Sequence, residues 1–225
     1  MEQQFVWNKN NAADAVLMLA HGAGADKNSS FMATMADLLC ERRISVVRFD
    51  FPYMVRRRDT GKKYPPDRQP VLLNCWQAVV ASVKQNTSLP LFIGGKSMGG
   101  RMATLLAAEN KQVQQVCSGV VCLGYPFYVL GKPDKPRIDH LRDISLPVLI
   151  QQGSRDAMGN REEVTAYRLK EPVQIEWFED GNHDLKPRKA SGLTHTVHLQ
   201  KASDNIASFI RKVKSEQETI REEMN

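Results

Sequence analysis

Short apolar runs alternate with longer amphipathic stretches along most of this chain. The runs are rich in Val, Ile and Leu, and they cover residues 15–20, 44–49, 89–94, 116–123, 147–152 and 173–178. Continuous apolar runs of this length are typical of parallel strands that are covered on both faces. The pattern therefore predicts six buried strands. Residues 3–7 predict a further strand, which pairs antiparallel at an edge of the sheet.

The stretches between the runs predict helices, because their apolar residues recur at helical spacing. Four such stretches begin at Phe31, Leu72, Met98 and Leu199, and Asn160 can cap a further helix. Regular alternation of strands and helices is typical of a doubly wound sheet with helices on both faces. The sequence thus predicts an α/β fold with a mostly parallel sheet.

Chain length and the position of the last apolar residues define the expected domain. With 225 residues the chain can bury one large core, and open α/β sheets reach this size without dividing. The last apolar stripe ends at Val213. We therefore expect a single domain over residues 1–213 and a polar C-terminal tail over residues 214–225, which frays. The connection between residues 123 and 147 is short and leaves no room for a lid domain.

Composition argues against several classes of protein. No apolar run reaches the roughly 18 residues of a membrane span, and the first residues lack the features of a secretory signal. We expect no membrane span and a cytoplasmic location. Four cysteines without a CxxC pair predict buried reduced thiols rather than a metal or disulfide site. Cys117 and Cys122 lie an odd number of residues apart in one strand, so we expect them on opposite faces.

A serine lies at the junction of a predicted strand and a predicted helix. The segment Gly95-Lys96-Ser97-Met98-Gly99 matches the G-x-S-x-G pattern. In that pattern the serine occupies a strained strand-to-helix turn, and small neighbours let the backbone make the turn. The backbone N–H of the next residue, Met98, can stabilise an oxyanion. Ser97 is therefore the predicted nucleophile, and a serine that merely caps the helix is the alternative.

The loop after the first central strand reads His21-Gly22-Ala23-Gly24. Next to a G-x-S-x-G turn, a loop in this place supplies the second oxyanion donor. Small residues let its backbone amides approach a substrate oxygen. We assign the donor to Ala23, with Gly22 as the alternative. His21 either orients the loop or is a purely structural histidine.

A serine hydroxyl needs a general base, and the base needs an acid that orients it. The expected chain order after this turn is Ser, then Asp or Glu, then His. Asp156 and His183 follow the strands at 147–152 and 173–178, and sites gather at the carboxyl ends of such strands. Asp156 is the predicted acid and His183 the predicted base. The alternatives are Asp134 or Asp139 as the acid, and His195 or His198 as the base.

Five motifs occur along the chain in an order that resembles a known family. They are His21-Gly-Ala-Gly24, Phe49-Asp-Phe-Pro-Tyr53, Gly94-Gly-Lys-Ser-Met-Gly-Gly-Arg101, Gly153-Ser-Arg-Asp156 and Gly181-Asn-His183. This order resembles the small α/β-hydrolase family that includes testis-expressed protein 30, and more loosely the dienelactone hydrolases. The resemblance spans almost the whole chain, and it implies the α/β-hydrolase fold with Ser97, Asp156 and His183 at the triad positions. A serine stands here where dienelactone hydrolases have a cysteine nucleophile.

The formal net charge of +6 is concentrated in two segments, residues 54–70 and residues 182–190. Both segments follow strands at the predicted active edge, so they predict a basic rim that attracts an anionic substrate. The alternative is a pair of solvated loops whose charges only aid solubility. The candidate substrate-binding residues of the rim are Arg56, Arg57, Arg58 and Lys186.

These features predict a serine hydrolase that cleaves a small ester or thioester without a metal or an organic cofactor. Fold does not fix function, so the competing hypothesis is a catalytically silent interaction protein on a hydrolase scaffold. Nucleic-acid binding is disfavoured, because the basic segments contain few aromatic residues and no recognisable module. The sequence leaves the acyl group and the oligomeric state open.

Overall fold

The structure of the chain is a computed structural model that describes residues 5–223, and the strands in this range form a single sheet. The strands are β1 (Val6–Asn8), β2 (Ala15–Ala20), β3 (Ile44–Phe49), β4 (Leu91–Lys96), β5 (Cys117–Leu123), β6 (Val148–Gly153) and β7 (Val173–Phe178). Their order in the sheet is β1-β3-β2-β4-β5-β6-β7. Strand β1 pairs antiparallel with β3, and the other neighbouring pairs are parallel. The predicted mostly parallel sheet is confirmed.

Helices cover both faces of this sheet. They are α1 (Ser30–Glu41), α2 (Pro52–Thr60), α3 (Gln69–Gln85), α4 (Met98–Glu109), α5 (Lys111–Val116), α6 (Asp139–Arg142), α7 (Arg161–Ala166) and α8 (His195–Glu223), with a 3₁₀ turn at Lys189–Ser191. Helices α1 and α8 pack on one face, while α3 and α4 pack on the other. The predicted doubly wound α/β fold is therefore confirmed.

The alternation of side chains along each strand divides the apolar residues between two cores. Met18 of β2 faces the core that contains Trp76 of α3, whereas its neighbour Leu17 faces the core that contains Ile206 of α8. Trp76 is fully buried and packs edge-on against Phe49, with 4.7 Å between the ring centroids. Because both faces are buried, the strands read as continuous apolar runs rather than as alternating ones.

The start of β4 differs from the prediction in a way that bears on the site. The strand was predicted over 89–94 but extends over Leu91–Lys96. Pro90 lacks an N–H and so cannot donate to the ladder, although its carbonyl accepts from the Val16 N–H at 2.9 Å. The later end means that the strand carries the chain directly into Ser97. At the sheet edge, the predicted strand 3–7 is observed as Val6–Asn8, and residues 3 and 4 lie outside the described residues.

The prediction that Cys117 and Cys122 lie on opposite faces is wrong. Both thiols belong to the core on the α3 and α4 side. The register of β5 shifts near its start, so that Leu91 pairs with Cys117 but Phe92 pairs with Gly119. The extra residue is a β-bulge, which resets the alternation of side chains. Burial raises the pKa of both thiols, which are free cysteines as predicted.

Helix α8 extends into the polar segment that follows Val213. We predicted that residues 214–225 fray, but α8 continues to Glu223. Lys212 and Glu216 approach to 3.8 Å at the i,i+4 spacing that supports a helix, and Ser118 donates a 2.9 Å hydrogen bond to Gln217. A contact with the sheet thus anchors a segment that has no apolar stripe.

The segment between β5 and β6 contains one four-residue helix, α6, and no inserted domain. The predicted absence of a lid domain is confirmed. Among residues 5–223, no helix has the length and apolar character that a bilayer crossing requires.

A glycine substitution tests the tight packing between β2 and the start of α4. A Cβ atom at Gly99 would lie 2.5 Å from the Ala20 carbonyl oxygen, whereas a Cβ at Gly24 meets nothing within 4 Å. We expect Gly99→Ala to lower the free energy of unfolding by about 1–3 kcal/mol, because backbone must move to admit the methyl group. Gly24→Ala, the matched control, should change it by less than about 0.5 kcal/mol. Urea denaturation measures both, and equal stability of the two variants would contradict the inferred close packing.

Candidate active site

Ser97 occupies the sharp turn between β4 and α4. Its backbone has φ 52° and ψ −117°, a left-handed conformation that costs energy for any residue except glycine. Hydrogen bonds hold the turn on both sides, because the Ser97 N–H donates to the Leu123 carbonyl at 2.9 Å and the Ser97 carbonyl accepts from the Arg101 N–H at 3.0 Å. The side chain is partly exposed and lines a cavity. The turn therefore presents the hydroxyl to a ligand.

The three predicted triad residues lie in one line of hydrogen bonds. The Ser97 Oγ is 2.8 Å from the His183 Nε2, and the His183 Nδ1 is 2.7 Å from the Asp156 Oδ2. A carboxylate can only accept, so the proton of a neutral imidazole lies on Nδ1 and leaves Nε2 free to accept from the serine. This is the geometry in which a histidine can act as a general base toward a serine hydroxyl.

The Asp156 carboxylate is fully buried, and protein donors surround it. Its Oδ2 accepts from the Gln152 Nε2 at 2.9 Å as well as from His183, and its Oδ1 accepts from the Met158 N–H at 2.8 Å. Charge-assisted hydrogen bonds of this kind compensate for the loss of water around a buried anion. Gln152 lies at the end of β6 and was not identified from the sequence, because a glutamine in an apolar run carries no functional pattern.

Lys96 bonds to the loop that carries His183. Its Nζ donates a 2.8 Å hydrogen bond to the His183 carbonyl and lies 3.1 Å from the Asp184 Oδ1, while the residue is only 8% exposed. Burial lowers the pKa of Lys96, and the charge of Asp184 opposes that shift. Lys96 was noted only as the variable position of the G-x-S-x-G pattern. Its role depends on a loop 87 residues away in the sequence.

The predicted oxyanion loop lies beside the serine. Ala23 lines the same cavity as Ser97, and a Cβ added at Gly22 would lie 3.5 Å from the Ser97 Cβ. The Tyr53 hydroxyl bonds to the carbonyl oxygens of Gly22 at 3.3 Å and Ala23 at 3.1 Å. These hydrogen bonds use the carbonyl groups of the loop and so fix its position relative to Tyr53.

His21 holds this loop in place and does not face the serine. It is fully buried, its Nδ1 is 2.7 Å from the Gly22 carbonyl, and its Nε2 accepts from the Phe51 N–H at 3.1 Å. Burial lowers the pKa of His21, which favours the neutral ring that this pair of bonds requires. The geometry supports the hypothesis that His21 orients the loop.

The alternative bases and acids make other contacts. His195 Nε2 is 2.9 Å from the Asp184 carbonyl, and His198 Nδ1 is 2.7 Å from the Leu185 carbonyl, so both pin the loop after His183 to α8. Asp156 contacts the base, rather than Asp134 or Asp139. Within residues 5–223, no group of three or more His, Cys, Asp or Glu side chains is arranged to hold a metal.

The cavity beside Ser97 has a volume of about 290 Å³. Its lining includes Ala23, Met98, Arg101, Arg137 and Met158. Two arginines, the Asp67 carboxylate and several apolar groups therefore line the cavity beside Ser97. Neither arginine was identified as a candidate from the sequence. Arg101 was visible only as the last residue of the Gly94–Arg101 motif, and nothing in the sequence around Arg137 connects it with the serine.

The cations that were predicted to bind substrate are not part of this lining. The three arginines of α2 bond to neighbouring groups of the protein, and Lys186 is exposed on the loop after His183. The partners of Arg56, Arg57 and Arg58 are the Asp67 carboxylate, the Tyr64 carbonyl and the Asp50 carboxylate, respectively. The structure thus does not bring these four cations to the cavity, because three of them are engaged in local contacts.

Three solved structures with the same fold are 15%, 19% and 16% identical to this chain. Est1E from Butyrivibrio proteoclasticus, solved with bound ferulic acid, is similar with a TM-score of 0.70 and 15% identity, covering 95% of this chain and 96% of that one. Dienelactone hydrolase from Anabaena variabilis is similar with a TM-score of 0.68 and 19% identity, covering 91% of this chain and 90% of that one. A protein from Xanthomonas campestris, described as an α/β serine hydrolase without a lid, is similar with a TM-score of 0.65 and 16% identity. The match covers 93% of this chain and 88% of that one. These similarities establish the fold.

Family membership is established by the sequence itself. The match to the alpha/beta hydrolase domain begins at residue 13 and ends at residue 211. It includes the turn at Ser97 as well as Asp156 and His183. It also includes every strand of the parallel part of the sheet. The chain therefore belongs to the alpha/beta hydrolase domain family.

Proposed function

We propose that this protein is a serine hydrolase that cleaves an ester or thioester with Ser97, His183 and Asp156. The observation that carries the proposal is the unbroken line of hydrogen bonds from the Ser97 Oγ through the imidazole to a buried carboxylate. We also propose that the finer resemblance of the motifs, to the branch that includes testis-expressed protein 30, describes where the chain belongs within its family.

The proposed reaction begins when His183 takes the proton of Ser97 and the serine oxygen attacks the carbonyl carbon. The backbone N–H groups of Met98 and Ala23 receive the oxyanion, with Gly22 as the alternative donor. His183 then gives its proton to the leaving alcohol or thiol. Water attacks the acyl-enzyme by the same steps and restores the serine. Asp156 keeps the imidazole in the productive tautomer and stabilises its positive charge.

Two features favour ester or thioester chemistry over a silent scaffold. The Ser97 side chain is accessible from the cavity, whereas a blocked pocket would bury it. The strain at Ser97 is also typical of functional sites, because a helix cap does not need a left-handed serine. The similar protein from Xanthomonas campestris is described as a serine hydrolase without a lid, and the open site here is consistent with such an activity.

The role of Ser97 is tested with the wild-type protein and Ser97→Ala. We expect a fluorophosphonate probe to label the wild type at Ser97 and to leave the variant unlabelled. Hydrolysis of p-nitrophenyl butyrate should fall on the order of a millionfold, because removal of the nucleophile disables the whole triad. Circular dichroism should show the same folded state for both proteins. Labelling of neither protein would support the interaction protein, and hydrolysis by the alanine variant would exclude Ser97 as the nucleophile.

The identity of the base is tested by comparing two histidines close to the same loop. His183→Ala should remove nearly all turnover, because no other group described here contacts the Ser97 hydroxyl. His195→Ala should retain most of it, since His195 bonds to the Asp184 carbonyl and stacks on the Phe31 ring, with no hydrogen bond to Ser97. Steady-state hydrolysis of p-nitrophenyl butyrate measures both variants. A larger loss of turnover in His195→Ala than in His183→Ala would show that His183 is not the base.

Lys96 is expected to support the base through the His183 carbonyl. Lys96→Met removes this charged donor, and we expect kcat to fall about 10- to 100-fold with little change in KM, since the donor positions the base rather than the substrate. Asp184→Asn is the matched control, because it weakens the ion pair but leaves the Lys96 contact with the carbonyl. If the two variants lose kcat equally, the ion pair rather than the hydrogen bond carries the effect.

A further inference from the structure

Two arginines line the cavity that also contains Ser97. Arg101 lies four residues after Ser97 on α4, and helical side chains lean toward the N-terminus, so Arg101 extends toward the turn. Arg137 comes from the segment between β5 and β6 and lines the same cavity. These side chains arrive from separate elements and converge on the space that a substrate of Ser97 would occupy.

Neither guanidinium is neutralised by the protein. Across residues 5–223, ion pairs join other arginines to carboxylates, but none involves Arg101 or Arg137. The Arg101 Nε is buried and has no hydrogen-bond partner. The carboxylate that lines the same cavity, Asp67, is occupied by Arg56 and by the Tyr53 N–H. A guanidinium that lines a cavity without a carboxylate partner keeps its charge and donors available to an anionic ligand.

The titratable groups near the two arginines do not neutralise their charge. Burial lowers the pKa of Arg101, and the nearby charge of Arg137 acts in the same direction. Burial and the charge of Arg101 together lower the pKa of His140 to about 4, so this histidine is neutral at neutral pH. Its Nε2 is 2.9 Å from the Thr104 hydroxyl oxygen. The polar groups beneath the arginines are therefore uncharged and bonded to one another.

Arg137 is held in position by its own backbone. Its N–H donates to the Phe127 carbonyl at 2.6 Å, and its carbonyl accepts from the Tyr125 hydroxyl at 3.0 Å. Tyr125 is fully buried and packs edge-on against Phe127, with 4.8 Å between the ring centroids. The backbone of the segment that carries Arg137 is thus anchored to the core, which limits where the Arg137 guanidinium can lie.

We propose that Arg101 and Arg137 together bind a negatively charged group of the substrate, so that the preferred substrate is a small ester or thioester with a carboxylate or phosphate. The planar guanidinium presents paired donors that match both kinds of oxyanion. The small cavity limits the charged portion to a short chain. The proposal names the substrate class of the proposed hydrolase and so rests on that function. It replaces the predicted basic rim of α2 as the source of selectivity for anions.

The kinetic test compares p-nitrophenyl butyrate with its anionic counterpart, mono-p-nitrophenyl succinate, and with the p-nitrophenyl ester of 3-phosphonopropanoate. The wild type should prefer the charged esters. Arg101→Gln and Arg137→Gln should each lower kcat/KM on the preferred anionic ester by about 10- to 100-fold, mainly through KM, and should change the neutral ester little. Comparison of the succinate and phosphonate esters shows whether the site prefers a carboxylate or a phosphate-like group. Arg101→Lys should recover part of the loss, since it keeps the charge without the paired donors.

Two further variants separate this site from general electrostatics. Arg211→Gln removes one positive charge from the exposed face of α8 and should leave the ratio of anionic to neutral kcat/KM unchanged. Arg58→Gln tests the rim of α2 and should also leave that ratio unchanged. A selective loss in Arg58→Gln, with none in Arg101→Gln and Arg137→Gln, would overturn the proposal. So would an equal loss on neutral and charged esters in the two cavity variants.

A binding measurement separates the anion site from catalysis. Ser97→Ala should bind monomethyl succinate or inorganic phosphate by isothermal titration calorimetry, and should bind methyl butyrate far more weakly. Adding Arg101→Gln to this variant should weaken the binding of the anion about tenfold or more. Binding that depends on the arginines, without turnover of any ester by the wild type, would reject the hydrolase but keep the anion site. Turnover that depends on Ser97, without selective anion binding, would reject the anion site but keep the hydrolase.

Discussion

The close approach of backbone segments at the start of α4 is the constraint on which the site depends. A Cβ at Gly95 would lie 2.4 Å from the Ala20 carbonyl oxygen, and one at Gly94 would lie 2.1 Å from the Val121 carbonyl oxygen. Only glycine fits between strands and helix at this distance. As a result, β4 can turn abruptly into α4, and Ser97 takes the left-handed conformation that turns its hydroxyl toward the cavity.

Buried polar contacts then bring distant loops to this turn. Gln152 bonds to the Asp156 carboxylate, and Lys96 bonds to the His183 carbonyl. His21 and Tyr53 bond to the loop of the proposed oxyanion donor. The Gln152 contact is buried and the others are part-buried, so an unmet partner would be costly and alternative loop positions are disfavoured. The site is therefore positioned as a unit by the end of the sheet, without help from a lid.

The distribution of charge illustrates why a count of cations is a poor guide to a binding site. The basic segment 54–70 carries much of the net charge, yet its three arginines at positions 56–58 bond to Asp67, a backbone carbonyl and Asp50. Arg101 and Arg137 contribute two charges in segments with no basic character, and they are the ones without partners at the cavity. What matters electrostatically is which charges remain unneutralised after folding, and at what depth they lie.

The sequence by itself determined the alternating elements, the two-sided sheet and the identity of the residues at Ser97, Asp156 and His183, because strand and helix periods, glycine spacing and chain order are local properties. It could not determine the bulge that turns Cys117 toward the face of Cys122, the contact that anchors the polar end of α8, or the partners of Gln152 and Lys96. It also could not tell paired arginines from unpaired ones. Those features depend on register and on contacts between residues far apart in the chain, which only the tertiary structure decides.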